Sequence, residues 1–257
     1  MTHALLHDIT QFLDRELNHA AYREPSLNGL QIESRVQEIR RVGFAVDAGY
    51  SVAERAIELG CQLLVVHHGL LWKGDVERII GPWARKLELF LGKGLSLYAS
   101  HLPLDGHIVH GNAAQLASLL KLHDIVSCFE FGGGPVGIRG RLPKALTIAE
   151  VVDSLAGIEG ALSPPLVLPF GKDPVQTIGI ATGSGTGVIP ECAAMGIDLL
   201  ITGEPKQSAY HTAKEYGCST LCIGHYASET FGPRALERVL KERFRVETTW
   251  ISEPTGI

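Results

Sequence analysis

The chain has 257 residues, 45% hydrophobic and 20% charged, with a formal net charge of -5 at pH 7. That length suits one large domain or two packed halves with a sizeable core, and the composition excludes a chain too polar to fold. The negative balance excludes a general attraction to nucleic-acid phosphates or anionic lipid, since both need clustered Lys and Arg; the one short basic pair, Arg40-Arg41, reads as a solvated strand entry.

Met1 to Leu17 mixes apolar residues with His7, Asp8, Asp14, Arg15 and Glu16. It therefore reads as an amphipathic helix, not as a secretory signal. No window approaches the roughly 18 consecutive apolar residues of a membrane span, and these features together point to the cytoplasm. Strand-like runs at Val42 to Val46, Leu63 to Val66 and Leu95 to Ala99 alternate with helical patterns near Ser51 to Leu59, Val76 to Leu91 and Asn112 to Leu120. Cys128 to Pro143, with its Gly132-Gly133-Gly134-Pro135 run, reads as a hairpin and linker. Strands then recur at Thr177 to Ala181, Leu199 to Thr202 and Thr220 to Ile223, with helices near Val188 to Met195, Gln207 to Tyr216 and Pro233 to Glu242. Cys61, Cys128, Cys192, Cys218 and Cys222 form no C-x-x-C pair and no even-numbered framework, so they read as reduced thiols buried for packing.

Alternating strands and helices predict an α/β fold with mostly parallel sheets. The two runs also align with each other. Val42-Gly43-Phe44-Ala45 matches Ile178-Gly179-Ile180-Ala181 at an offset of 136, which also carries Gly60 to Gly196 and His67-His68 onto Gly203-Glu204. Further on, an offset of 124 superposes His101-x-x-x-Asp105 on His225-x-x-x-Glu229. The expected architecture is thus two duplicated strand-helix halves, residues 1–127 and 144–257, joined by the 128–143 hairpin and packed around a metal cleft.

The polar pairs in these segments follow strands and so belong at the carboxyl ends of a sheet, where α/β folds place ligands. His67 and His68 emerge directly from an apolar strand; on a regular strand they face opposite sides, so they share one site only if the strand has ended or two metals are held. His225 and Glu229 lie four apart and share one face if the segment is helical, and Asp105 adds a carboxylate. Imidazole and carboxylate without thiolate suit Zn, Fe, Mn, Ni or Co. Five such ligands exceed one tetrahedral zinc with an open position and suit two ions bridged by a carboxylate.

The motifs Asn28-Gly29-Leu30-Gln31, His67-His68-Gly69, His101-Leu102-Pro103-Leu104-Asp105, Gly203-Glu204 and Gly224-His225-Tyr226-x-Ser228-Glu229 run through nearly the whole chain. In them the sequence resembles the Nif-three-like family, a dinuclear-metal-centre hexameric family also known as type 2 homologues of GTP cyclohydrolase 1. The resemblance implies two divalent ions per subunit held by His67, His68, Asp105, His225 and Glu229, with Asp105 and Glu229 bridging. It also implies a toroidal homohexamer with the sites facing an internal cavity.

The duplication nominates His101 and Glu204 as further ligands; the resemblance leaves both out, so they are expected to orient ligands or transfer protons. Ala181 to Gly187 reads as a tight turn, or as an anion cradle for a triphosphate near the metals, although it matches neither G-x-G-x-x-G nor a P-loop. Trp72, Tyr210 and Tyr226 are aromatic candidates for base stacking, with packing the alternative. Three function classes remain open: a metal-dependent hydrolase of a nucleotide-like substrate, a metal storage or delivery protein, and a ring scaffold for partners.

Overall fold

A computed structural model describes residues 3–75 and 78–257. Met1 and Thr2, at the head of the expected N-terminal helix, and Val76 and Glu77, at the start of the helix expected to reach Leu91, lie outside the described residues. In chain order the strands are β1 Ala4–Leu5, β2 Gly29–Ile32, β3 Glu38–Ile39, β4 Arg41–Asp47, β5 Leu63–His68, β6 Ser96–Ala99, β7 His123–Phe131, β8 Gly134–Leu146, β9 Leu166–Leu168, β10 Val175–Ala181, β11 Leu199–Thr202, β12 Ser219–Cys222 and β13 Glu247–Trp250. The α-helices are α1 Leu6–Leu17, α2 Tyr50–Glu58, α3 Pro82–Lys93, α4 Leu102–Asp105, α5 Asn112–Leu119, α6 Ile148–Ser154, α7 Ile189–Ala194, α8 Ala209–Tyr216, α9 His225–Glu229 and α10 Phe231–Phe244. None of the helices among the described residues is long and apolar enough to cross a membrane.

The chain divides into two units, Met1–Leu104 with Gly232–Glu253, and Asp105–Phe231 with Pro254–Ile257. Their composition differs from a linear split at 128–143, because α10 and β13 return to the first unit, where β13 pairs in parallel with β4 through Thr248↔Val42.

In the first unit a five-stranded sheet has the order β13-β4-β5-β6-β2. Alternation along β4 and β5 sends Val42, Phe44, Leu63 and Val65 into one apolar layer with Leu6, Ile9 and Leu13 of α1 and Leu236 and Leu240 of α10. It sends Ala45, Leu64 and Val66 into another, with Val52, Ala53 and Ala56 of α2 and Phe90 of α3. Cover on both faces explains why these strands are apolar without interruption.

In the second unit the sheet order is β7-β8-β10-β11-β12-β9. Ile178, Ile180, Leu199, Ile201 and Leu221 pack against Ala113 and Leu116 of α5 and Ile148 and Val151 of α6. On the other side Leu200 meets Ile189 and Cys192 of α7 and Ala209 and Ala213 of α8. α6 starts at a capping box in which Thr147 Oγ1 accepts from the Glu150 amide while Glu150 reaches back to the Thr147 amide.

The fold is α/β, but both sheets are mixed, which corrects the expectation of mostly parallel sheets. β4-β5-β6 and β10-β11-β12 are parallel, whereas β2 runs antiparallel to β6 and β9 antiparallel to β12. The segment expected as hairpin and linker is the long antiparallel ribbon β7–β8, and β8 also pairs antiparallel with β10. Gly132 and Gly133 turn that ribbon with φ of 64° and 95°, the positive values that a tight two-residue hairpin turn requires.

Candidate metal centre

In the first unit, β5 carries His67 and His68 at its carboxyl end. The ladder to β6 stops at Val66↔Ala99. The ladder to β4 runs on to Asp47↔His68, and the ring centroids of His67 and His68 lie 4.6 Å apart. His101, just beyond β6, joins them at 5.1 Å from His67 and 5.4 Å from His68, and one ligating nitrogen from each of the three lies within 4.8 Å of the others. Each ring has its Nδ1–H committed elsewhere. His67 donates to the Ser100 carbonyl at 2.9 Å and His68 to Asp47 Oδ1 at 2.8 Å. His101 donates to Glu24 Oε2. A carbonyl or carboxylate only accepts, so each ring gives Nδ1–H to its acceptor and turns Nε2 the other way.

The motif residues around this trio brace it. Gln31 Oε1 accepts from the amides of Leu70 and Leu71 at 2.8 and 2.9 Å while its Nε2 donates to the carbonyls of Leu27 and Leu71. Gln31 presses so close on the loop that a Cβ at Gly69 would lie 2.4 Å from its amide, which is why glycine follows the two histidines. Asn28 donates to Glu24 Oε1 at 2.7 Å and accepts from the His101 amide at 2.8 Å. Glu24 is buried; burial pushes its carboxyl pKa up, but hydrogen bonds from His101, Asn28 and the Leu102 amide outweigh it and leave the group below the ordinary carboxylate value.

In the second unit, α9 begins at His225 and ends at Glu229, so their i, i+4 spacing puts both on one helical face. His225 Nε2 is 3.1 Å from Glu229 Oε2 and its Nδ1 is 2.9 Å from Glu204 Oε2. Burial works against a charge on His225, but the two carboxylates overcome it and raise its pKa to about 9. Glu204, which also accepts from Ser184 Oγ, is held below the usual carboxylate range by Ser184 and then by His225. Asp105 Oδ1 accepts from Asn112 Nδ2 at 2.9 Å and from Thr182 Oγ1 at 3.0 Å. Carboxylate oxygens of Asp105 and Glu229 lie within 4.8 Å of each other, and both residues are buried, at 8% and 2% exposure. Two buried carboxylates this close repel unless a proton or cation lies with them. These donor sets fit divalent transition metals: imidazole Nε2 atoms with fixed tautomers, and an adjacent pair of carboxylates.

Two glycines make the second group possible. Gly183 has φ of 59°, and a Cβ there would lie 2.2 Å from Glu229 Oε1 and 3.1 Å from His225 Nε2. A Cβ on Gly203 would meet the Gly183 carbonyl at 2.6 Å and Ser228 Oγ at 2.7 Å. The Gly183 amide donates to Ser228 Oγ, and its carbonyl accepts from the amides of Gly203 and Glu204. The 181–187 segment is therefore a turn closed on its own neighbours, and the Gly183 amide is not available to cradle an anion. Trp72 packs edge-on against His101 at 5.1 Å, Tyr226 is buried with its hydroxyl donating to Glu159, and Tyr210 packs against Phe170. All five cysteines are free and buried; burial pushes Cys61 and Cys222 up to about 11, far from reactive thiolates. Glu24 and Asp47, which fix two of the three imidazoles in the first unit, carried no signal in sequence.

Residues 4–255 match the sequence profile of the Duf34/NIF3 (NGG1p interacting factor 3) family. A GTP cyclohydrolase 1 type 2 homolog of Deinococcus radiodurans is 37% identical over 250 residues, covering 97% of this chain and 94% of the relative. Among solved structures, "protein ybgI, unknown function" superposes with a TM-score of 0.91 at 32% identity, covering 99% of this chain and all of the other. TTHA1606 from Thermus thermophilus superposes with a TM-score of 0.88 at 38% identity over the same shares.

Proposed function

The chain belongs to the Duf34/NIF3 family, and from that premise we propose that it is a dinuclear divalent-metal hydrolase of a nucleotide-like substrate. In this reading His67, His68, Asp105, His225 and Glu229 would hold two ions drawn from Zn, Fe, Mn, Ni or Co. The observation that carries it is the fixed orientation of the imidazoles: His67, His68 and His225 each commit Nδ1 to an acceptor, at 2.9, 2.8 and 2.9 Å, and His225 turns Nε2 toward the Glu229 carboxylate, an imidazole and a carboxylate that an ion could share. Metal-binding histidines are held in this way by carboxylates and carbonyls.

A pair of divalent ions would polarise a carbonyl or phosphoryl oxygen and lower the pKa of water toward neutrality. The protein's own contribution is positional. Asp47 and the Ser100 carbonyl orient the rings of His68 and His67, Glu204 orients that of His225, and Asn112 and Thr182 hold the Asp105 carboxylate by one oxygen. Gly183 leaves the room that Glu229 fills.

The name of the D. radiodurans relative, GTP cyclohydrolase 1 type 2 homolog, supports a guanine nucleotide as the first substrate to try. A matching register supports the internal duplication: Val42↔Leu63 and Gly43↔Leu64 in one sheet correspond, 136 residues on, to Ile178↔Leu199 and Gly179↔Leu200 in the other. A homohexamer in the cytoplasm completes the reading.

Metal storage or delivery is the second reading. It is favoured by the partial exposure of two ligand side chains, His68 at 21% and His225 at 27%, which leaves them within reach of an exchanging partner. Metal-replete protein assayed against GTP, other nucleotides and phosphoesters separates the two. Turnover above a metal-only control, lost in Glu229→Ala, supports the hydrolase; no turnover, with metal passing rapidly to an apoprotein acceptor, replaces it with delivery.

A further inference from the structure

We infer that Arg139 and Arg141 form a second ligand site in the second unit, one that takes a small phosphorylated molecule by its phosphoryl group. The site uses no residue of the candidate metal centre and goes beyond the reading given for that centre.

The strand pairings place the two guanidinium groups. Arg139 and Arg141 are two apart on β8 and so project from one face of the sheet. Their partners in the ladders share that face: Val126 of β7 and Gly179 of β10 stand opposite Arg139, and Thr177 of β10 stands opposite Arg141. It is the face that α7 and α8 cover, since a Cβ on Gly179 would lie 3.1 Å from both Ile197 and Phe129, which belong to the apolar layer with Ile189 and Ala209. Beside that layer Arg139, Arg141, Thr177, Val126 and Met195 line a pocket of about 370 Å³, a volume suited to a small molecule.

The protein does not neutralise the two charges itself. Asp124, on the rim of the pocket, is engaged by His123 Nδ1 at 2.9 Å. Asp198 accepts from the amides of Gln176 and Thr177 and pairs with Lys172, which leaves both guanidinium groups and the Thr177 hydroxyl without a hydrogen bond or ion pair among the described residues. Like charges side by side on one sheet face repel, and a phosphoryl dianion removes that repulsion. The guanidinium fork matches phosphoryl oxygens two at a time, and the Thr177 hydroxyl offers a further donor. Val126 and Met195, 47% and 39% exposed, give the organic part of such a ligand apolar surface to cover.

The position separates this pocket from the metal side of the same sheet. Thr177 lies near the start of β10 and Met195 precedes β11, whereas Glu204 and His225 follow the carboxyl ends of β11 and β12. About 13 Å of strand runs from Thr177 to the end of β10, so a ligand held here is not the one at the metals.

The chain has two methionines, so methyl-labelled methionine gives full-length protein a reporter inside the pocket, assigned by Met195→Leu. The probes are phenylphosphonate, which has no ester bond to hydrolyse, inorganic phosphate, and phenol. Phenylphosphonate is expected to shift the Met195 methyl resonance saturably, with Arg139→Gln and Arg141→Gln each weakening binding by about tenfold and Arg141→Lys, which keeps the charge but not the fork, recovering only part. Tighter binding of phenylphosphonate than of phosphate supports a phosphorylated metabolite; equal binding of the two supports free phosphate as the source of the same oxyanion. The inference is overturned if the Met195 signal stays unmoved up to about 10 mM probe, beyond the range of weak specific sites, if the arginine variants bind as wild type does, or if phenol shifts the signal as well as phenylphosphonate. Circular dichroism verifies the fold of each variant, and if Arg139→Gln misfolds, the exposed Arg141 decides alone.

Discussion

Gly183→Ala tests the link between a backbone turn and the candidate metal centre. At φ of 59° an alanine occupies the left-handed region, at a cost of about 1–2 kcal/mol. Its Cβ would lie 2.2 Å from Glu229 Oε1, so the carboxylate has to swing away and surrender its contact with His225 Nε2 at 3.1 Å. Loss of one charge-assisted hydrogen bond between buried groups adds about 1–2 kcal/mol. The total, about 2–4 kcal/mol, lowers the Tm of the metal-free protein by roughly 4–16 °C at this chain length. Gly187→Ala is the control, since no atom lies within 4 Å of its Cβ and no positive φ is imposed; its Tm should stay within about 2 °C of wild type. Differential scanning calorimetry with and without added Zn gives both readouts. Wild type and Gly187→Ala should gain Tm on loading through preferential binding to the folded state, and Gly183→Ala should gain much less. A Gly183→Ala protein that melts with wild type and gains as much from zinc would show that Glu229 is not held as described.

Gln31→Ala removes four hydrogen bonds that brace the loop after His68 and should cost about 2–4 kcal/mol in urea unfolding; a loss under 1 kcal/mol would mean that the loop holds itself. Asp198 accepts from the amides of Gln176 and Thr177 at 2.9 and 2.8 Å and pairs with Lys172 at 2.8 Å. Burial opposes its charge, but these partners win and lower its pKa. Its contribution is therefore fully present above the unfolded carboxylate value of about 3.9 and disappears as pH falls through the lower folded value. Asp198→Asn should destabilise at pH 7 and flatten the acid limb of the stability curve, while Lys172→Ala, at an exposed partner, should cost about 1 kcal/mol or less. Thr147→Ala breaks the capping box of α6 and should cost about 1 kcal/mol by the same unfolding assay; a neutral result would show that packing of Ile148 and Val151 alone sets that helix.

Much of this architecture is legible in the sequence for local reasons. Leu63-Leu64-Val65-Val66 and Leu199 to Thr202 are uninterrupted apolar runs because helices cover both sides of their sheets, and such runs announce themselves. His225 and Glu229 share a helical face as their spacing requires. What could not be read depends on contacts distant in the chain. The β7–β8 ribbon looks like a linker because seven of the nine β7 residues are exposed, and the pairing of β8 with β10 leaves no periodic mark. β13 joins β4 across some two hundred residues. The same applies to the partners of the histidines. Asp47 lies 21 positions from His68 and Glu24 lies 77 from His101, so nothing in either neighbourhood marks them as orienting groups. Gly183, by contrast, stood in a glycine-rich run that invited an anion-cradle reading; its real constraint is the Glu229 carboxylate 46 residues on.

The central claim, that His67, His68, Asp105, His225 and Glu229 hold two divalent ions, is tested most directly by metal stoichiometry. Metal-free chain is dialysed to equilibrium against buffered Zn or Mn and analysed by inductively coupled plasma mass spectrometry. Two ions per chain, falling to one or none in Glu229→Ala and in His67→Ala/His68→Ala, is the result the account predicts. Fewer than one ion per wild-type chain, or two ions retained in both variants, would contradict it.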